Sequence, residues 1–195
     1  MAETQREIET KFDVAPDFDL GDPAKLADPA EPGATVQTST VELVSTYYDT
    51  PDQALLRSYL TLRRRVGDDD TGWQLKVPGA GFRTELRWPL AAGPDEAEEL
   101  PDELRELLGP WLGSAQVRAL ATVRVTRTRY RLLEGGRRVL EVADDEVRAS
   151  STAGDSGSKR WRELEVEFGP AGSAAQANRV AALLTNRDAL PSRSA

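Results

Sequence analysis

Polar and charged residues recur at every second position in six stretches of this chain. They are Glu7, Glu9 and Lys11; Arg63 and Arg65; Gln74 and Lys76; Arg83, Glu85 and Arg87; Arg127 and Arg129; and Glu163, Glu165 and Glu167. A period of two belongs to the β-strand, whose successive side chains point to opposite faces. Apolar residues mostly fill the other positions, as Leu164, Val166 and Phe168 do against the three glutamates. Each stretch is therefore a strand with one charged and one apolar face. On an ordinary antiparallel sheet the charged face meets water. Here the stripes segregate by sign, one nearly all acid and others nearly all base. The chain also has amphipathic helices, which need an apolar sheet face to pack on. On a closed barrel that face is the outside, so the charged stripes point inward. Inward then lie eight bases (Lys11, Arg63, Arg65, Lys76, Arg83, Arg87, Arg127, Arg129) and six acids (Glu7, Glu9, Glu85, Glu163, Glu165, Glu167). An unpaired buried charge costs several kcal/mol, so such an interior must hold water, ions or a charged ligand.

The remaining pattern fits a barrel. Strands are expected over 4–14, 36–50, 59–67, 73–79, 82–90, 117–134, 137–144, 146–152 and 160–168, joined mostly by short Gly- and Asp-rich turns. Helices are expected over 51–57, capped by Thr50 with Pro51 first; over 94–113, where Ala97, Leu100, Leu104, Leu107, Leu108 and Leu112 recur at helical spacing; and over 173–190. Residues 15–35 read as a long connection with one helical turn. The expected fold is mainly β (α+β), an eight-stranded antiparallel β-barrel forming a charged tunnel with a few helices packed outside. One domain covers 1–190, and 191–195 read as a linker-like tail.

Composition narrows the chemistry. The net charge of −8 over 195 residues argues against a nucleic-acid partner, which needs a basic surface. Without Cys or His there is no disulfide, no thiolate and no Ser-His catalysis. A metal would take oxygen ligands only, which favours Mg²⁺, Mn²⁺ or Ca²⁺. No apolar run of about 18 residues is present, so no membrane span is expected and the reading is a cytoplasmic protein. Carboxylates at alternate positions suit a hard cation. Arginine and lysine suit phosphate oxygens, the former as a fork and the latter as a point charge. Together they describe a metal–polyphosphate site.

The stretch "EIETKF" resembles the E-x-E-x-K signature of the CYTH domain, the triphosphate tunnel metalloenzymes. "YYDTPD", "LTLRRR", "WQLKVP", "RTELRWPL", "TRTRYRL", "EVADDEV" and "RELEVEF" follow in that family's order, over essentially the whole chain. The resemblance implies a tunnel barrel and hydrolysis of triphosphates with Mg²⁺ or Mn²⁺. Glu7, Glu9, Glu163 and Glu165 match its catalytic metal-binding acids, and Lys11, Arg63, Arg65, Lys76, Arg83 and Arg127 its phosphate-contacting bases. Arg129 lies on the same stripe as Arg127 and joins them. Glu85 matches an acid paired with Arg83. The Gly that commonly follows the family's Asp is absent from "ADDEV"; strict alternation from Glu141 favours Asp145 over Asp144 as a further metal acid. No Lys follows Lys159, where the family tends to carry one, which leaves Arg187 or Arg193 as substitutes. The tail resembles the joint to a C-terminal CHAD domain. The expected activity is hydrolysis of inorganic triphosphate, with triphosphate or polyphosphate as partner. A non-catalytic polyphosphate-binding module and a class IV adenylyl cyclase are the alternatives.

Overall fold

A computed structural model of the chain describes residues 3–7, 9–68, 71–79, 83–90, 99–152 and 157–192. In chain order the elements are β1 (Glu3–Glu7), β2 (Glu9–Val14), β3 (Thr35–Asp49), α1 (Ala54–Arg57), β4 (Thr61–Val66), β5 (Gly72–Pro78), β6 (Arg83–Trp88), α2 (Asp102–Leu112), β7 (Arg118–Glu134), β8 (Arg137–Ser151), β9 (Lys159–Phe168), α3 (Ala174–Thr185) and β10 (Leu190–Pro191). The architecture is the expected one, mainly antiparallel β with three helices. The strand breaks fall differently. The stretch read as one strand over 4–14 is described on either side of residue 8, with β1 paired to β6 and β2 to β9. The two strands expected over 137–152 are one, β8. The short β10, which pairs with β2, was not expected. Phe82, Ala97 and the turns at 69–70 and 153–156 lie outside the described residues. Among the described residues no helix is long and apolar enough to cross a membrane.

The chain divides into two compact units. The first comprises Met1–Glu7, Glu42–Arg124 and Arg148–Lys159, and its strands run in the order β1-β6-β5-β4-β3. Its apolar core joins the sheet residues Leu62, Trp73, Leu75 and Trp88 to Leu55 of α1 and to Leu104, Leu108 and Leu112 of α2. The leucines of α2 recur at helical spacing, so one stripe of the helix seals the sheet. Of the helix expected over 94–113, residues 94–98 lie outside the described residues, and the described helix runs from Asp102, after Pro101. Proline lacks an N–H to donate and suits a helix start, and Asp102 and Glu103 complement the dipole of the first turn. Helix α1 starts later than residue 51 because Gln53 is left-handed, at φ 59°. Its free N–H groups are capped from upstream: the Asp49 carboxylate accepts from Leu55 and Leu56, both at 2.9 Å, and Thr50 Oγ1 from Ala54 at 2.8 Å. At Gly72 a Cβ would fall 2.3 Å from the Trp88 carbonyl oxygen, so β5 enters its pairing through the one residue without a Cβ.

The second unit comprises Ile8–Val41, Val125–Val147 and Arg160–Ala195, with the order β7-β8-β9-β2-β10. Phe12, Leu132, Leu140, Val142, Leu164 and Val166 of its sheet pack with Ala177, Val180 and Leu184 of α3. Ser173 and Gln176 form a capping box at the start of that helix. The helix stops at Thr185, short of the expected residue 190, and the chain turns through Asp188, at φ 68°, into β10. In both units the polar face is also withdrawn from water. Glu85 and Gln74 are 0% exposed in the first, and Asp145 is 2% exposed in the second.

The capping box yields a stability prediction. Ser173→Ala removes the acceptor for the Gln176 N–H and should cost about 1 kcal/mol. For a chain of this size that lowers the melting temperature by roughly 2–4 °C. A thermal melt followed by circular dichroism reads the shift, and an unchanged melt would mean the box carries no net stability.

Candidate active site

In the first unit the polar rows follow from register. Tyr47 of β3 lies opposite Arg63 of β4, Arg63 opposite Gln74 of β5, and Gln74 opposite Arg87 of β6. Lys76 lies opposite Glu85. Arg63 Nε donates to Gln74 Oε1 at 2.5 Å, and its Nη2 to Glu85 Oε2 at 3.3 Å. Lys76 Nζ is 3.4 Å from the same oxygen, and Arg87 Nε bonds the other. One fully buried carboxylate thus faces three cations. Burial pushes the Glu85 carboxyl up, and the charges of Arg63, Lys76 and Arg87 outweigh it and hold the pKa below the ordinary value. Arg65 Nε donates to Ser45 Oγ at 3.1 Å. Burial would raise the Tyr47 phenol, yet Arg63, Arg65 and Lys76 hold it below its usual range, which reports a positive local potential. The resemblance pairs Glu85 with Arg83; instead Arg83 is exposed, with its backbone opposite Glu7 and Pro78.

The second unit carries the acids. Lys11 of β2 lies opposite Glu165 of β9, Asp13 opposite Glu163 and Glu9 opposite Glu167. The Lys11 ammonium bonds Glu165 and stands 3.6 Å from Glu9 and 4.0 Å from Glu163. Burial alone would lower the lysine, but Glu165, Glu9 and Glu163 together hold it above its ordinary range. Arg127 of β7 grips Asp145 of β8 as a fork, Nε to Oδ1 at 2.8 Å and Nη2 to Oδ2 at 2.6 Å. The same Nη2 reaches Glu165 at 2.6 Å. Carboxylate oxygens of Asp145, Glu163 and Glu165 all lie within 4.8 Å of one another. Burial and the neighbouring Glu165 and Asp145 raise the Glu163 carboxyl, against the charge of Lys11 and a hydrogen bond from Trp161. Three hard oxygen donors this close suit a divalent cation.

Asp144 and Asp145 part at this point. Asp144 takes a fork from Arg162, with both contacts at 2.8 Å, and Arg162 also donates to the carbonyls of Pro16 and Phe18. That pair ties the 15–35 connection to the sheet. Farther along β7 and β8, Arg129, Arg131 and Arg138 gather on Glu141. Arg187 Nη1 donates to the Asp19 carbonyl at 3.5 Å, and Arg193 lies outside the described residues. Of the expected site residues, the structure brings Glu9, Lys11, Arg127, Asp145, Glu163 and Glu165 together in one unit and Arg63, Arg65 and Lys76 in the other. Gln74, Tyr47, Ser45 and Glu141 were not named as site residues. Register from Arg63 and Arg65 would have found Tyr47 and Ser45, and Glu141 already starts the alternation that favours Asp145.

The CYTH domain family matches residues 5–187. The chain belongs to the CYTH family. An uncharacterized Mycobacterium tuberculosis protein is 36% identical to this CYTH chain over 143 residues, 68% of this chain and 27% of that protein. Human thiamine-triphosphatase is 37% identical over 108 residues, 48% of this chain and 44% of that protein. The chain thus spans about a quarter of the length of the mycobacterial relative and less than half of the human one. Among solved structures, a candidate adenylate cyclase from Bacillus halodurans superposes with a TM-score of 0.60 at 18% identity, covering 98% of this chain and 95% of that one. A candidate adenylyl cyclase from Hippeastrum, described as having a dominant triphosphatase activity, gives 0.55 at 17% identity, covering 100% and 92%. At such identities the likeness establishes the CYTH fold.

Glu85 gives the prediction. Glu85→Gln leaves three cations facing a neutral group and should cost roughly 3–5 kcal/mol of stability, the penalty for breaking a buried ion pair from one side. The depressed pKa sets the pH dependence. The carboxylate's contribution is complete at neutral pH and is lost as pH falls through the folded-state value. Denaturant melts from neutral into acid pH should show wild type losing stability more steeply than the variant. Parallel curves would contradict the assignment.

Proposed function

We propose that this CYTH domain is a metal-dependent triphosphatase acting on inorganic triphosphate or a related triphosphate. The observation that carries the reading is the group of Asp145, Glu163 and Glu165 with Lys11 and Arg127 seated on it. The donors are all carboxylate oxygens, the set that fits Mg²⁺ or Mn²⁺. Asp145, Glu163 and Glu165 would hold the ion, with Glu9 beside them on the Lys11 side and Glu7 as the remaining acid of the family signature. Bound there, the ion supplies Lewis-acid polarisation of the phosphoryl oxygens. The relationship to thiamine-triphosphatase supports a triphosphate as the substrate class.

The chain's own residues account for the rest. Carboxylates this close resist joint ionisation without positive charge among them. In the ligand-free protein Lys11 and Arg127 provide it. The same two bases would donate to phosphate oxygens of the substrate, Arg127 as a fork and Lys11 as a point charge. Arg129 follows on the same strand face. Arg63, Arg65, Lys76 and Arg83 are the further phosphate-binding residues of this reading. The pre-set charge of Lys11 and Arg127 favours the transition state, where negative charge moves onto the leaving phosphate. With neither His nor Cys in the chain, a carboxylate of the Asp145–Glu163–Glu165 group is the candidate acceptor for the proton of the attacking water.

Purified protein should release phosphate from triphosphate with Mg²⁺ or Mn²⁺, and EDTA should abolish the release. Asp145→Asn removes a cation ligand and the anchor of Arg127, and should lower kcat/KM roughly 100-fold or more. Phosphate assays on triphosphate, thiamine triphosphate and ATP decide the matter. Cyclic AMP formation from ATP would replace the reading with a cyclase, and tight polyphosphate binding without release would replace it with a binding module.

A further inference from the structure

Trp161 belongs to neither apolar core and keeps 40% of its surface exposed. Alternation along β9 puts it on the face of Glu163 and Glu165 rather than with Leu164 and Val166. The pairing of β2 with β9 ends at Val14 opposite Arg162, one residue short of Trp161, so the indole sits at the end of the acidic row. A large apolar ring left partly in water gains less from burial than a core residue does. Its polar atom has a specific partner: Nε1 donates to Glu163 Oε2 at 2.8 Å. The other oxygen of that carboxylate stands 4.0 Å from the Lys11 ammonium, beyond hydrogen-bonding distance. Among the described residues Trp161 is the one hydrogen-bond donor to Glu163.

The three acids of the candidate ion site are thus held in two ways. Asp145 takes the Arg127 fork, and Glu165 takes Lys11 and Arg127. Those cations offset the charge of their carboxylates. The indole is a donor without charge. It fixes one oxygen of Glu163 and leaves the negative charge of the carboxylate for an ion. We infer that Trp161 is a positioning residue for the ion site, holding Glu163 by Oε2 and leaving its other oxygen for a divalent cation shared with Asp145 and Glu165. This rests on the metal-binding part of the triphosphatase reading. Hydrogen bonds from supporting groups orient the side chains that ligate a metal, and losing one changes metal affinity roughly 10- to 100-fold. Trp161 touches neither ion nor substrate in this role and acts through Glu163.

The test is a double-mutant cycle on Mn²⁺ affinity, with free Mn²⁺ read by electron paramagnetic resonance. Trp161→Phe keeps a ring and removes the N–H, and should weaken Mn²⁺ binding about tenfold. Glu163→Ala removes the carboxylate that receives the bond, and in that background Trp161→Phe should change the affinity no further. Thermal melts in EDTA read folding separately, and Trp161→Phe should melt with wild type because one exposed ring replaces another. Equal Mn²⁺ affinity in wild type and Trp161→Phe overturns the positioning role and leaves the ion site standing. A loss of the same size in both backgrounds, or a melt well below wild type in EDTA, also overturns it, because the indole then acts by packing. No saturable Mn²⁺ binding in wild type overturns the ion site and the positioning role together. None of these readouts needs hydrolysis of triphosphate, so they decide the point whether or not the catalytic reading stands.

Discussion

A carboxylate withdrawn from water survives as an anion only if cations stand against it, and that requirement organises both units. Glu85 is the extreme case, with no exposed surface and three cations around it. Asp145 shows the same rule with Arg127, and Glu141 with its three arginines. Removing the carboxylate of such a group leaves buried cations uncompensated, which costs more than the pair contributes. The ion pairs are therefore weak sources of stability. They are strong determinants of where each charged side chain sits, and a site for charged ligands needs that positional control.

The apolar faces supply the stability. Trp73, Leu75 and Trp88 under α2, and Phe12, Leu164 and Val166 under α3, bury their side chains almost completely. Each fully buried large apolar side chain contributes roughly 1.5–3 kcal/mol. Because alternation assigns these residues and the charged ones to opposite faces, the helices that cover the first set leave the second free for function. One-residue slips in register would exchange the two sets. Close approaches such as Gly72 against Trp88 hold the register in place.

Much of this is legible in the sequence because the period of two is rigid. Glu163 and Glu165, Arg63 and Arg65, and the choice of Asp145 over Asp144 all follow from counting alternate positions. What escaped is set by tertiary partners that no local pattern encodes. Lys11 and Glu165 are 154 residues apart, and Arg127 and Glu165 are 38 apart. Glu85 was matched to Arg83 by resemblance, while its cations come from β4, β5 and its own strand at Arg87. The change of partner within 4–14, from β6 to β9, is invisible to alternation, which runs through it unbroken. The start of α2 at Asp102 is marked in the sequence by Pro101, one of the two prolines that interrupt the leucine spacing.

The account stands on Asp145, Glu163 and Glu165 forming a site for a hard divalent cation. The most direct measurement is a Mn²⁺ titration followed by electron paramagnetic resonance of the free ion, on wild type and on Glu165→Gln. Loss of one ligand among three should weaken Mn²⁺ binding at least about tenfold, the scale on which changes even to supporting groups act at metal sites. Saturable binding in wild type that weakens by that factor in the variant is the predicted result. The same Mn²⁺ affinity in both proteins would contradict it.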